Sequence, residues 1–375
     1  MVIKISEDNM QERVIFTKFK LKNGVEIKNR MVLSPMTTCQ SNPDGTVSDA
    51  ESTWLKMAAE GDFGMVITCA SHVSKEVGFR NQIGVHSDAM LPRLTKLADS
   101  LKPYNCVKLV QISHGGARVY QGDSVSASSY DMPKIPNWQK PRELSVQEIQ
   151  QIITDFASAC ERVYKAGFDG VEIHGCNGYL ITQFFSKMTN LRQDQFGGTL
   201  ENRARFAREI IRACRKKVPA SFIIGYRMTY KNSGMETGLD LEENIQISKW
   251  LIEDGIDYIH ISGSNIDEKV SESSKQDLIS YIRESLGDFP IIAVGGVKNG
   301  SDIERAIGHG ADLVAIARTA LLNTDLPKQL SQDYDYQPIP TPYTIKQLQQ
   351  HGLSEQFIEY ITKDLAAYHI VDGTK

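Results

Sequence analysis

The sequence predicts an α/β protein built on a parallel sheet, and three observations carry that reading. Eight short apolar segments of strand length alternate with stretches of helical periodicity. A glycine recurs where each helical stretch hands over to a strand, in Gly167-Phe168-Asp169, Gly255-Ile256-Asp257 and Gly310-Ala311-Asp312, with Gly61-Asp62 as a looser copy, each placed as a helix C-cap. The 375 residues are 41% hydrophobic and 23% charged, ordinary globular values for one large domain or two smaller ones. Eight such units imply a closed barrel, although a doubly wound open sheet fits the periodicity nearly as well.

In chain order, Phe19 to Asn29 reads FKLKNGVEIKN, and Asn23-Gly24 tolerates positive φ at both central positions of a tight turn. A hairpin over residues 17–29 is therefore expected to cover the N-terminal end of the barrel. The first strand lies within Met31 to Met36 and stops at Pro35. A helix over Ser52 to Ala59 leads to the second strand, Gly64 to Thr68, and the third is Val107 to Ser113. The helix Val146 to Ala166 carries Ile149, Ile153, Phe156, Cys160, Val163 and Tyr164 close to a 3.6 period. It feeds a fourth strand at Val171. The others are Phe222 to Met228, Asp257 to Ser262, Pro290 to Val294 and Asp312 to Ala317. The barrel thus takes residues 1–330. Beyond it, QPIPTP (337–342) breaks the chain ahead of a C-terminal extension, 331–375. Ile345, Leu348, Leu353, Phe357, Ile361 and Leu365 give that extension helical spacing, packed on the barrel or on a partner subunit.

Chemistry concentrates in residues 171–205, VEIHGCNGYLITQFFSKMTNLRQDQFGGTLENRAR. The stretch opens as a strand with Glu172 and His174 on one face, then becomes a polar loop. His174, Asn177 and Tyr179 follow closely: an imidazole, an amide and a phenol able to hold a carbonyl oxygen and deliver a proton beside it. Other strand ends add to the inventory. Gln111 is a buried amide in need of partners, and Arg227 is an inward arginine that must pair with an anion or with Glu172. Gly295 and Gly296, with Arg318 on the next strand, offer backbone N–H groups and a guanidinium suited to phosphate. Ser301-Asp302-Ile303-Glu304 reads as the capping box of the following helix.

H-x-x-N-G-Y-L followed by Q-F, then N-x-R-x-D-x-F-G-G and E-N-R-x-R-F, resembles the fourth-strand signature of the Old Yellow Enzyme family, FMN-dependent oxidoreductases on a TIM barrel. The resemblance decides for a closed (β/α)8 barrel. It implies that Thr37, after Pro35 and Met36, bonds the flavin ring, that Ala70 lies against it, and that Gln111 reads its uracil-like edge. It also implies that Arg227 faces its N1 side, and that Gly295, Gly296, Ala317 and Arg318 hold its phosphate. His174 and Asn177 would then bind the carbonyl oxygen of an α,β-unsaturated substrate, with Tyr179 as proton donor. Three positions depart from the pattern or vary within it. Asn177 stands where members have His or Asn, Ala317 replaces a common glycine, and His114-Gly115-Gly116-Ala117-Arg118 has alanine where arginine is usual. His114 and Arg118 are read as solvated loop residues without a role.

Nothing resembles a G-x-G-x-x-G strand–turn–helix, so NADH or NADPH is expected to visit transiently as the hydride donor of a ping-pong cycle. The net charge of −4 argues against a nucleic-acid partner and leaves a small-molecule substrate. No apolar run approaches a membrane span, and the acidic N-terminus lacks the apolar core of a signal peptide, so a cytoplasmic protein is expected. None of the six cysteines is closer to another than Cys160 is to Cys176, which speaks against a metal cluster. A homodimer or other homo-oligomer is compatible with the chain. Two rival readings are a phosphate-binding barrel of aldolase or isomerase type and a flavin-dependent RNA dihydrouridine synthase. The latter would want a basic surface and a cysteine proton donor, for which Cys39 and Cys176 are placed.

Overall fold

The computed structural model describes residues 13–364 apart from 76, 77, 79, 120, 121, 133–138, 234 and 235, together with 370 and 371. Eight parallel strands form the barrel: β1 Met31–Leu33, β2 Met65–Ile67, β3 Val107–Ser113, β4 Gly170–Gly175, β5 Ile223–Met228, β6 Tyr258–Ser262, β7 Ile291–Val294 and β8 Leu313–Ile316. Each pairs with its sequence neighbour and β8 pairs with β1, so the sheet closes and the open-sheet alternative falls away. Among the described residues no helix is long and apolar enough to cross a membrane.

Helices clothe the outside. Asp49–Glu60 precedes β2, and Val146–Lys165 precedes β4 with a full capping box between Ser145 and Glu148. The latter buries Ile149, Ile153, Phe156, Cys160 and Val163 as its period requires, but Tyr164 is 44% exposed and meets Phe222 edge-on. Gly167, Gly255 and Gly310 close their helices at φ 88°, 105° and 110°. Gly61 does not, because its φ is −77° and Asp62 takes the left-handed step at 72°. Position 61 needs glycine for another reason: a Cβ there would lie 2.0 Å from the Thr324 carbonyl oxygen.

The hairpin forms, with Phe19–Lys20 antiparallel to Glu26–Ile27. Its turn differs from the expected pair of positive-φ residues, since only Gly24 is left-handed and Asn23 contributes through its side chain, which accepts from the Val25 N–H. Leu21 and Ile27 join Val32, Met65, Leu109, Ile223 and Ile292 in the barrel interior and plug its floor. That leaves the opposite, C-terminal mouth for chemistry.

The chain after β8 returns over this body. The short helices Ile345–Gln350 and Glu355–Glu359 bury Leu348 and Phe357, whose ring stands edge-on to Trp54 at 5.4 Å. Ser354 Oγ donates to Gln40 Oε1 at 2.6 Å. Leu365, expected on the same stripe, lies outside the described residues.

Candidate functional site

At the C-terminal mouth a cavity of about 680 Å³ gathers Asn177, Arg227, Gly295, Gly296, Ala317 and Arg318 from four strand ends. Ser264, Lys298 and Thr341 complete it among others, and among the described residues no carboxylate is in its lining. Gly295 has φ 144°, and a Cβ would stand 2.6 Å from the Asn265 amide nitrogen, so only glycine lets the β7 loop pass the β6 loop. Gly296 follows at φ 65°. Glycine backbone plus three cations in one hollow is a phosphate-binding inventory. The helix behind it starts differently from expectation: its cap is Asn299, whose Oδ1 accepts from the Asp302 N–H, rather than Ser301.

Arg227 makes no ion pair among the described residues. Its Nη1 donates to the Pro35 carbonyl at 3.4 Å and its Nε is buried without a partner. The pairing with Glu172 does not form. An arginine cannot discharge, so this one is held charged at the cavity wall, ready for an anion.

Beside it, β4 delivers the trio. Asn177 (φ 60°) and Gly178 (φ 72°) make a left-handed pair that curls the loop back on itself. The ring of Tyr179 meets that of His174 edge-on at 4.8 Å. Ser262 Oγ donates to Asn177 Oδ1 at 3.3 Å, which commits the amide oxygen and leaves Nδ2 as the donor. Burial, reinforced by the charge of Arg227, pushes the His174 imidazole down to about 3, so it is neutral and can donate one N–H. Burial also raises the Tyr179 phenol, which keeps its proton until a strong base appears.

Beneath the trio, Gln111 is 2% exposed and donates from Nε2 to Glu172 Oε1 at 2.7 Å. Pro35, Met36, Thr37 and Ala70 sit on the loops after β1 and β2 and do not line the cavity itself. Met36 is buried, while Thr37 and Ala70 remain partly accessible. Their loops are braced by Glu51, fully buried, which accepts from Thr38 Oγ1.

Other residues were misjudged or missed from sequence. His114 is 4% exposed rather than solvated, and its Nδ1 accepts from the Gly116 N–H. Arg118 is packed over Tyr179 instead of lying free in a loop. Lys298, two residues past Gly296, was within reach of the phosphate reasoning. Thr341 was not, because nothing in a proline-rich break signals a return to the mouth. Much of the long motif is scaffold. Arg192 Nη1 caps the Ala127 and Leu144 carbonyls, Asn190 Nδ2 caps those of Phe184 and Phe196, and Gln183 bridges the Gly178 carbonyl to the Ala117 N–H.

Comparison with known proteins gives the family and the fold. The sequence model of the NADH:flavin oxidoreductase / NADH oxidase family matches residues 14–337. A probable NADH-dependent flavin oxidoreductase of Bacillus subtilis (strain 168) is 35% identical over 330 residues, covering 84% of this chain and 87% of that protein. The NADH:fumarate oxidoreductase of Klebsiella pneumoniae (strain 342) is 32% identical over 83% of this chain, which spans only 35% of that protein. An old yellow enzyme homologue from Zymomonas mobilis has the same fold, with a TM-score of 0.78 at 22% identity over 93% of this chain and 99% of that one.

Proposed function

Because the chain belongs to the NADH:flavin oxidoreductase / NADH oxidase family, and is therefore an FMN-using oxidoreductase, we propose that it reduces the C=C bond of α,β-unsaturated carbonyl or related electron-poor compounds. The observation that carries this reading is the trio His174, Asn177 and Tyr179, two neutral donors and one protonated phenol, set beside the cationic cavity. FMN, when bound, would supply the hydride chemistry that links NADH or NADPH to the alkene.

The residues present fit that cofactor. The Gly295 and Gly296 backbone with Arg318, Ala317 and Lys298 would hold the phosphate, and the unpaired Arg227 would face the side where a reduced ring carries negative charge. Gln111 would read the pyrimidine edge, with Thr37, Ala70, Pro35 and Met36 around the ring.

His174 N–H and Asn177 Nδ2–H then act together on a substrate carbonyl oxygen, drawing charge away from the conjugated system and leaving the β-carbon electron-poor. Tyr179 completes the step by passing its proton to the α-carbon, a base strong enough to take it despite the raised phenol. The sequence carries no G-x-G-x-x-G fingerprint for a resident nicotinamide, so donor and acceptor would use the same site in turn. The Cys176 thiol is fully buried, which counts against it as the proton donor of the RNA-acting alternative.

Initial rates over a grid of NAD(P)H and enone concentrations test the reading. Parallel double-reciprocal lines and a saturated ketone product are expected. Converging lines, or no reduction across a panel of enones, nitroalkenes and quinones, would refute it.

A further inference from the structure

Below the mouth, the barrel interior holds a carboxylate that makes no ion pair with lysine or arginine among the described residues. Glu172 Oε1 accepts from Gln111 Nε2 at 2.7 Å, while Oε2 takes Tyr258 Oη at 3.0 Å and His260 Nδ1 at 2.9 Å. Glu172, Tyr258 and His260 are all 0% exposed. The arrangement is built into the strands. A Cβ on Gly225 would lie 2.0 Å from Tyr258 Cζ, so the phenol crosses β5 to reach the carboxylate only because position 225 has no side chain.

The hydrogen bonds fix protonation states. His260 Nε2 is buried without a partner, and an orphaned lone pair costs less than an orphaned N–H, so the imidazole is the neutral Nδ1–H tautomer and donates to an anionic Glu172. Burial pulls His260 down, and although burial opposes ionisation of Glu172, its donors and the nearby Arg227 hold it below the usual carboxylate range. Register puts Arg227 level with His174 and His260 and one inward step above Gly225, which lies opposite Glu172. A buried cation and a buried anion thus share the interior without touching.

An amide can present either end, whereas a carboxylate only accepts. We infer that Glu172 is a positioning residue for the cofactor: it holds Gln111 with Nε2 downward and the carbonyl oxygen free for the flavin's pyrimidine edge, and it offsets the charge of Arg227. This rests on the assignment of Gln111 and Arg227 to FMN.

The test compares Glu172→Gln and Glu172→Asp in the holoprotein, each with and without Gln111→Leu, by the rate of FMN release and the flavin midpoint potential. Glu172→Gln should release FMN about tenfold faster or more, the usual consequence of losing a bond to a charged group, and should raise the potential because Arg227 is left uncompensated. Gln111→Leu should abolish the first effect and spare the second. Glu172→Asp, which keeps charge but shortens reach, should speed release with little change in potential, and it decides the matter if Glu172→Gln does not fold. Wild-type release and potential in these variants, or equal acceleration in the Gln111→Leu background, would overturn the inference. A wild-type protein that binds no FMN would instead remove the cofactor assignment on which it stands.

Discussion

The Arg118 guanidinium stands 4.7 Å over the centroid of the Tyr179 ring, and its Nη1 donates to the Asn177 carbonyl. One arginine from the loop after β3 thus clamps two members of the trio in the loop after β4 and sets a positive charge against the phenol. Burial raises the Tyr179 pKa, and Arg118 is the charge that opposes it.

Tyr179→Phe should therefore leave reduction of the bound flavin by NAD(P)H intact while slowing reoxidation by an enone by about a hundredfold or more, the span of a lost general acid. Arg118→Met should slow the same step by roughly tenfold. Rapid-mixing spectroscopy of each half-reaction separates the two steps, and unchanged enone reoxidation in Tyr179→Phe would remove the phenol from the mechanism.

Asn177→Asp replaces a donor by an acceptor of the same shape. With Ser262 already donating to Oδ1, an aspartate would offer the substrate oxygen only repulsion. Enone kcat/KM should drop by about a hundredfold or more, at least as far as in Asn177→Ala. Retention of wild-type kcat/KM in Asn177→Asp would show that the amide is not a substrate donor.

Gly295→Ala and Gly167→Ala form a matched pair. Both sit at positive φ, but a Cβ at 295 collides with the Asn265 backbone, whereas one at 167 meets nothing within 4 Å. Gly167→Ala should cost about 1 kcal/mol of stability and keep its flavin, and Gly295→Ala should lose most of its FMN. The ratio of flavin absorbance to protein, with thermal melts, reads both.

Glu51 makes a pH prediction. Burial raises its carboxyl from 4.5 to about 7 against the pull of Thr38 and Gln40. The fold keeps it protonated where the unfolded chain ionises, so its contribution is whole below about 4.5, declines as pH rises and is gone above about 7, worth about 3 kcal/mol across that window. Glu236, also raised to about 7 by burial, adds a second component of the same sign. Glu51→Gln should flatten part of this slope in denaturant titrations run from acid to neutral pH; an unaltered slope would mean that Glu51 is ionised in the fold.

The strands were legible because short apolar runs between helical stretches, several of them preceded by glycine, are local signals, and all eight lie where the sequence puts them. Closure was not, since β8 meeting β1 is a contact between the two ends of the barrel that periodicity cannot see. Among site residues, Arg227 stood out as a lone inward cation and Gly295 as half of a glycine pair. The partners that give them meaning were hidden: Gln111 and Glu172 lie 61 residues apart, and Thr341 arrives from a segment with no pattern of its own. His114 reads as solvated where the loop departs from the family pattern, yet Leu180 N–H bonds to its carbonyl and shuts the loop against the next.

The most direct test of the account is an anaerobic cycle on the purified protein: NADH or NADPH is added to the bound flavin, then an α,β-unsaturated ketone. The account predicts a yellow protein that bleaches with the nicotinamide and recovers its colour as the alkene is reduced. A folded protein that takes up no FMN, or whose bleached flavin no electron-poor alkene restores, would contradict it.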